Sequence, residues 1–219
     1  RVIRPPYVNI PGEPSWAGPD RRIADAAWRV RGAWAEAGVI HGHYAITGLA
    51  AWRLAKRADL PFVLTFHGSD MNTWPDEHPD RVVDLRQALQ DASAVFAVSQ
   101  ALAERAKSIT GVDAEHLPLG CDHRALAAGA MPRDTARARL ELPQDRAIVL
   151  FVGHLKRTKG VRELVDAILE LGDPFTAVLV GDGPERGYGA SDPRAARLLD
   201  FRGALAHDDV SAYMSAADV

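Results

Sequence analysis

The sequence predicts an α/β fold built from parallel sheets, and three features of one segment carry that prediction. Ala147–Val152 is an apolar run of strand length. From Val161 onward apolar residues recur at helical spacing, and a second apolar run follows at Phe175–Val180. A strand, a helix and another strand in this order are typical of the parallel crossover unit.

The same alternation of strands and helices extends toward the N-terminus. Strands are predicted at residues 39–41, 62–66 and 94–98, and helices at residues 21–37, 47–58 and 80–92. Ser99 can cap the helix that follows the third strand, because its hydroxyl accepts an early backbone N–H. This part of the chain is therefore expected to form a parallel sheet of its own.

The composition of the chain limits the classes of protein to which it can belong. With 219 residues, 47% of them hydrophobic, the chain can bury one core or two modest ones. A net charge of −3 gives no basic field for nucleic acid, so we predict no nucleic-acid partner. The longest uncharged stretch, residues 37–52, falls short of the roughly 20 apolar residues that span a bilayer. The single cysteine, Cys121, suits a reducing cytoplasm and is interpreted as a small apolar filler.

The loop between the strand at 147–152 and the next helix is rich in cations. Lys156, Arg157 and Lys159 stand beside the unpaired backbone N–H groups of a helix start, which carry partial positive charge. A nucleotide diphosphate would fit there. An ordinary crossover also carries basic residues near a helix start, so the loop alone leaves both interpretations open.

Four blocks of sequence favour the phosphate-binding interpretation of this loop by their order and spacing. They are HGHYAITGLAAWRLAKRADLPFVLTFHGSD at 41–70, AVFAVSQALAERA at 94–106, FVGHLKRTKGVRELV at 151–165, and VLVGDGPER with FRGALAHDDVSAYMSAADV at the end. Together they resemble glycosyltransferase family 4, the retaining sugar transferases with two Rossmann-like domains in the GT-B fold. The resemblance implies an acceptor-side domain over residues 1–126 and a nucleotide-sugar-binding domain over residues 127–219.

The resemblance also implies a chain that is incomplete at both ends. The family fold begins with a strand and a glycine-rich turn that would precede residue 1. Past Val219 it would continue to a glutamate pair, E-x7-E, that grips the donor sugar and ribose, and no two glutamates of this chain stand eight positions apart. We therefore expect a truncated second sheet and little or no transfer activity from this chain alone.

On the donor side, the resemblance assigns a catalytic and phosphate-binding role to Lys159. Other assigned donor-phosphate residues are Gly153, His154 and Arg157, and the assigned base-side residues are Gly203, Ala204 and Leu205. His154 stands where the family usually has arginine, and whether it serves in the arginine's place is left open. The turn Gly181–Gly183 is interpreted as structural. The family needs no metal, and this sequence has no D-x-D motif.

On the acceptor side, His67 matches a histidine that the family points at the donor sugar, and it is assigned a catalytic role. The assigned acceptor-side residues are His43, Tyr44, Asp70 and Ser99. Turn formation and helix capping explain the last two equally well. His41, His43 and Tyr44 make a poor metal site, because no carboxylate or cysteine stands at ligand spacing.

The resemblance implies a transferase that moves a sugar, with retention, from a nucleotide-diphosphate sugar to a glycan or lipid-linked acceptor. Cell-envelope or exopolysaccharide synthesis in the cytoplasm is the expected setting. Arg133, Arg137 and Arg139 predict a basic helix face that is solvated or touches the inner membrane surface. Two other classes stay open: a non-catalytic or degenerate GT-B module that binds nucleotide or glycan, and a nucleotide-sugar epimerase.

Overall fold

The chain forms two compact units, Arg1–Gly120 and Cys121–Val219. The computed structural model describes residues 2, 4 and 18–219. Each unit contains a fully parallel sheet with helices packed against it, which confirms the predicted α/β class.

The first unit contains a four-stranded sheet in the order β1-β2-β3-β4. Its strands are β1 (Ile40–His43), β2 (Phe62–Phe66), β3 (Ala94–Ala97) and β4 (Glu115–His116). Its helices are α1 (Pro19–Arg29), α2 (Ala45–Ala58), α3 (Ser69–Asn72), α4 (Trp74–Glu77), α5 (Val82–Gln90) and α6 (Gln100–Thr110), with 3-10 turns at Arg31–Ala33 and Pro79–Arg81. The register aligns Ile40 with Phe62, and Val63 with Ala94. Leu49, Leu64, Phe66 and Leu85 lie fully buried in one core between sheet and helices.

The second unit contains three strands in the order β5-β6-β7. These are β5 (Ala147–Val152), β6 (Phe175–Val180) and β7 (Leu199–Gly203). The helices are α7 (His123–Ala128), α8 (Arg133–Arg139), α9 (Val161–Leu171), α10 (Ala195–Leu198) and α11 (His207–Ala216), with a 3-10 turn at Arg157–Lys159. The bounds of β5, β6 and the start of α9 confirm the sequence-based expectation.

Alternating side chains of this sheet fill two separate cores. Ala177 and Leu179 of β6 pack with α9, while Val178 and Val180 of the same strand pack with α8 and α11. Successive side chains of a strand point to opposite faces, so a strand covered on both faces is apolar throughout. The continuous apolar run in β6 thus follows from its central place in the sheet.

The first helix is shorter than predicted. It ends at Arg29 instead of running to residue 37, and the chain continues into the 3-10 turn at Arg31–Ala33. β-Branched Val30 and Gly32 weaken the helix there, and the indole N–H of Trp34 donates to the carbonyl of Ala27 at 3.0 Å. That bond folds the chain back over the end of α1. The strand predicted at 62–66 has the predicted bounds, and the remaining predicted elements of this unit shift by at most two residues at their ends.

The predicted basic helix face is wrong. Arg137 is buried, and its guanidinium donates to the carboxylate of Asp218 at 2.6 Å and to the carbonyl of Ala216 at 2.9 Å. Arg133 pairs with the other oxygen of Asp218 at 2.8 Å. These arginines fasten α8 to the C-terminal segment of the unit and present no common face to solvent or lipid.

Two further findings concern the exposure of Cys121 and the ability of the helices to span a membrane. Cys121 is exposed, so the interpretation as an apolar filler is wrong. Within residues 18–219, every helix is too short or too polar to cross a bilayer.

Asp20 anchors α1 to the rest of the first unit. Its carboxylate is 1% exposed and accepts from Arg53 at 2.6 Å and Arg81 at 3.1 Å. Burial by itself raises the pKa of this carboxyl, but the hydrogen bonds and charges of the two arginines outweigh it and hold the pKa below 3.8. Since the folded pKa is depressed, the stabilisation is present above about pH 4 and is lost as the pH falls through the folded pKa.

Asp20→Asn is expected to lower the free energy of unfolding by about 3 kcal/mol near neutral pH, because it leaves two arginines without their buried anion. The control is Asp25→Asn, which breaks an exposed pair with Arg57 on the same helix and should cost under about 0.5 kcal/mol. Urea denaturation measures both. The gap between native and Asp20→Asn proteins should narrow below about pH 4, and a constant gap would contradict this account.

Candidate functional sites

The second unit has a cavity of about 680 Å³ where its strands end. In a parallel sheet the carboxyl ends of the strands share one edge, and the loops that follow them meet there. The lining residues are Val152, Gly153, His154, Val180, Gly181, Asp182, Gly183, Ala204, Leu205 and Val210. The cavity thus brings together Gly153 and His154 from the predicted phosphate site with Ala204 and Leu205 from the predicted base side.

Glycines make this convergence sterically feasible. A Cβ on Gly181 would overlap the carbonyl oxygen of Gly153, and a Cβ on Gly183 would overlap that of Leu155. The N–H of Gly181 donates to the carbonyl of Gly203 at 2.8 Å, joining the end of β7 to the same point. The Gly181–Gly183 turn therefore shapes the cavity as well as lining it, a role that the sequence interpretation did not assign.

Hydrogen bonds fasten the loop after β5 to the loop after β6. The N–H of Leu155 donates to the carbonyl of Asp182 at 3.0 Å, and the N–H of Glu185 donates to the carbonyl of Leu155 at 3.0 Å. Glu185 also accepts from Arg162, in the first turn of α9, at 2.7 and 3.2 Å. The paired side chains hold the loop against the start of that helix. The sequence did not predict a role for Glu185, since a lone glutamate carries no spacing signal.

The predicted cationic residues lie in the loop before α9. Lys156, Arg157 and Lys159 are exposed, and the last two belong to the 3-10 turn that leads into the helix. Gly160, directly before α9, is in the left-handed conformation with φ of 74°, and no side chain caps the helix start. Arg157 and Lys159 do not line the 680 Å³ cavity, whereas Gly153 and His154 of the same strand-to-helix connection do.

In the first unit, three histidines gather at the ends of β1 and β2. The Nδ1 of His43 lies 2.8 Å from the Nε2 of His67, so one imidazole donates to the other. The ring of His41 stacks on His43 with centroids 4.3 Å apart, and its Nε2 is 2.8 Å from the hydroxyl of Thr65. The ring of Tyr44 lies 4.7 Å from His67 on centroids. The predicted catalytic and acceptor-side aromatic residues thus form one cluster.

His43 occupies the middle of this cluster. Partial burial lowers the pKa of its imidazole below 6.5, and the charges that His41 and His67 can carry lower it further. At neutral pH the neutral form of His43 is therefore favoured. A neutral imidazole offers one donor and one acceptor nitrogen, which is what a hydrogen bond to a second imidazole requires.

Asp70 closes the turn that follows His67. Its carboxylate accepts from the backbone N–H of His67 at 3.0 and 3.1 Å and from that of Gly68 at 2.6 Å. The hydroxyl of Ser99 accepts from the N–H of Leu102 at 3.3 Å, which confirms its helix cap. Both side chains therefore have structural partners, and their acceptor-side roles stay predictions.

A second cavity, of about 600 Å³, lies beside this turn. Its lining comes from the start of α1, the loop from β1 to α2, and helices α3 and α4: Pro19, Ile23, Tyr44, Ala45, Ile46, Thr47, Ser69, Asp70, Thr73, Trp74 and Glu77. Tyr44 and Asp70 were predicted on the acceptor side. Thr73, Trp74 and Glu77 were missed, because short helices of mixed polarity carry no periodic signal. His43, His67 and Ser99 lie outside the lining.

No group of three or more histidine, cysteine, aspartate or glutamate side chains is placed to hold a metal ion within the described residues. The histidine cluster consists of imidazoles that contact one another by stacking and hydrogen bonding.

Comparison with known proteins decides the family. The family model described as Glycosyltransferase Family 4 matches residues 1–124. The family model described as Glycosyl transferases group 1 matches residues 132–219. The chain belongs to glycosyltransferase family 4. Among its relatives is TuaC of Bacillus subtilis strain 168, a glycosyltransferase assigned to teichuronic acid biosynthesis. It is 39% identical over 189 residues, which are 84% of this chain and 48% of TuaC.

Solved structures of similar fold agree with this membership. Sucrose-phosphate synthase from Thermosynechococcus elongatus matches with a TM-score of 0.71 at 24% identity, covering 96% of this chain and 55% of the synthase. HepE from Anabaena, solved with UDP-glucose, matches with a TM-score of 0.65 at 22% identity, covering 88% of this chain and 55% of HepE. These likenesses show the GT-B fold. The family 4 chain spans about half the length of the relatives it matches.

Gly181→Ala should destabilise the second unit by more than about 2 kcal/mol, because the added Cβ overlaps the backbone of Gly153, directly after β5, and the φ of 139° disfavours a side chain. Gly187→Ala is the matched control: its φ is also positive, at 87°, but the space around it is open. Thermal unfolding measures both variants. Equal losses would mean that backbone conformation, and not the close approach of the strand ends, explains the requirement for glycine.

His67→Ala should raise the pKa of His43, because it opens the ring to solvent and removes the charge that the His67 imidazole can carry. Two-dimensional NMR of the imidazole nitrogens, recorded over pH 5–8, follows this titration. His123→Ala, in the second unit, is the control and should leave the His43 curve in place. An unchanged His43 midpoint in His67→Ala would contradict the coupling between the two rings.

Proposed function

We propose that the family 4 protein transfers a sugar, with retention of configuration, from a nucleotide-diphosphate sugar to a glycan or lipid-linked acceptor. We further propose that it does so in cell-envelope polysaccharide synthesis in the cytoplasm. The observation that carries the proposal is the cavity where β5, β6 and β7 end, next to the basic loop and the uncapped start of α9. The family membership supports the reaction class.

The chemistry proposed for the second unit is charge stabilisation. Departure of the nucleotide diphosphate concentrates negative charge on its outer phosphate oxygens. Lys159 and Arg157 would neutralise that charge as it grows, and the backbone N–H groups at the start of α9 would add partial positive charge. His154 offers a further donor at the cavity wall. Because these groups supply positive charge, we propose a reaction without a metal cofactor.

The nucleotide part of the donor fits the other wall of the same cavity. Ala204 and Leu205 give it an apolar side beyond β7, while Gly203, the last residue of β7, lies outside the lining. HepE, solved with UDP-glucose, has the same fold, which makes a uridine nucleotide the first donor to test. The similarity to TuaC supports the cell-envelope setting.

The first unit supplies the proposed acceptor side. His67 is oriented by its contact with His43 and by the turn that Asp70 closes. We propose that His67 contacts the reacting sugar and that Tyr44 and Asp70 face the acceptor. Because Arg137 of α8 is buried, it gives no support to a membrane contact through that helix.

Donor binding is the first test, because binding to this 219-residue chain can be measured without knowing the acceptor. UDP-glucose, GDP-mannose and ADP-glucose are titrated by calorimetry at one salt concentration. For the donor that binds, Lys159→Ala should weaken binding by at least about tenfold, since a charge-assisted contact to phosphate is lost. Lys156→Ala removes the same charge three residues earlier and should weaken binding by less than about threefold. Equal losses in the two variants, or no binding of any donor, would overturn the proposed phosphate site.

A further inference from the structure

The backbone of Tyr44 is strained where the chain passes from β1 into α2. Its φ is 64° and its ψ is 157°, a combination that only glycine adopts readily. Holding a residue with a Cβ there costs free energy, and such residues persist only where their surroundings fix them. A glycine at position 44 would make the same turn without that strain. The tyrosine therefore has a role beyond the turn itself.

Backbone contacts on both sides fix this conformation. The N–H of Tyr44 donates to the carbonyl of Thr65 at 3.1 Å, which continues the ladder between β1 and β2. The carbonyl of Tyr44 accepts from the N–H of Gly48 at 2.8 Å, in the first turn of α2. A Cβ on Gly42 would lie 2.8 Å from the Cα of Gly48, so α2 crosses β1 at backbone contact. Tyr44 thus makes the whole turn from strand to helix.

The side chain of Tyr44 contacts the imidazole of His67. The two rings have centroids 4.7 Å apart and planes inclined by 30°. The Nε2 of His67 also lies 2.8 Å from the Nδ1 of His43. The imidazole of His67 is therefore held by a ring contact from one residue and by a hydrogen bond from another.

The neighbours that hold His67 are themselves fixed. The ring of His41 stacks on His43 with centroids 4.3 Å apart, and its Nε2 is 2.8 Å from the hydroxyl of Thr65. The carboxylate of Asp70 accepts from the backbone N–H of His67 at 3.0 and 3.1 Å. Backbone and ring of His67 are thus both restrained. Its Nδ1 has no hydrogen-bond partner among the described residues, so this nitrogen is available to a ligand.

We propose that Tyr44 is a positioning residue for His67, and that the fold retains the strained backbone at Tyr44 because this conformation packs its ring against that imidazole. With the ring held in place, the hydrogen bond to His43 keeps His67 in one tautomer, since a neutral imidazole has one donor and one acceptor nitrogen. The positioning follows from the geometry of the first unit. Its use in sugar transfer rests on the proposed function.

Two variants of Tyr44 separate the strain from the ring. Tyr44→Ala and Tyr44→Gly both remove the ring, but only glycine relieves the backbone. Tryptophan fluorescence follows thermal unfolding of the first unit, because all five tryptophans of the chain lie there. Tyr44→Gly should melt at least about 3 °C above Tyr44→Ala. A glycine variant that melts at or below the alanine variant would overturn the strain.

Lys56 supplies the control for this comparison. It is exposed and lies inside α2, away from the histidine cluster. Glycine is a weaker helix former than alanine, so Lys56→Gly should melt below Lys56→Ala. The order of the two replacements should thus be opposite at positions 44 and 56.

NMR of the ring nitrogens tests the positioning itself. At about pH 8, above the ordinary pKa of histidine, the two ¹⁵N shifts of His67 should lie far apart, as in a single tautomer. Tyr44→Ala and Tyr44→Gly should shrink that separation by at least about a quarter, because a released ring populates both tautomers in water. Tyr44→Phe keeps the ring and should retain the native separation. Lys56→Gly weakens α2 without removing a contact of His67 and should retain it too.

An unchanged separation in the Tyr44 variants that lack the ring would overturn the positioning role. Tyr44→Gly relieves strain, so it keeps the test decisive where Tyr44→Ala does not fold. Loss of the separation in Lys56→Gly as well would also overturn the role, because the effect would then follow helix stability and not the ring.

Donor titration separates this inference from the proposed function. If a nucleotide sugar binds with its dependence on Lys159 and the tautomer of His67 is independent of Tyr44, the inference fails and the proposed function stands. If the tautomer depends on Tyr44 and no donor binds, the proposed function fails and the inference stands for the first unit.

Discussion

Three strand ends of the second unit approach one another so closely that no side chain fits between them. Gly181 lies against the backbone of Gly153 and is hydrogen-bonded to Gly203, so a glycine stands at the end of β7 and directly after the ends of β5 and β6. The cavity lies beyond this contact, where the loops that follow the three strands diverge. The positions of His154, Leu205 and the start of α9 depend on this contact between the strand ends. Packing of the two apolar cores holds the strands in the register that produces the contact.

Much of the fold could be predicted because periodicity and strand length are local properties. β2, β5 and β6 have the predicted bounds, since each is a mainly apolar run between turn residues. The end of α1 and the short helices α3, α4 and α7 could not, because tertiary contacts decide them. Trp34 folding back onto Ala27 is one such contact, and nothing in the local pattern announces it.

The candidate site divides in the same way. The family resemblance assigned Gly153, His154 and His67, and parallel topology explains why each of them lies at a strand end. The chain turns sharply at Asp70. This turn brings Thr73, Trp74 and Glu77 to the first-unit cavity. Arg137 of α8 shows the opposite error. A helical charge pattern predicted a surface, whereas Asp218, 81 residues after Arg137, neutralises the charge and allows burial.

Asp20 has a consequence for motion. The start of α1 contributes Pro19 and Ile23 to the wall of the first-unit cavity, yet the buried surface of this helix consists largely of small residues and one carboxylate. Small side chains supply little apolar area, so the ion pairs with Arg53 and Arg81 carry much of its attachment. Segments held in this way open locally before the whole domain unfolds. Hydrogen exchange of the α1 amides would then report how often this wall of the cavity opens. The ion pairs of Asp20 would set that frequency.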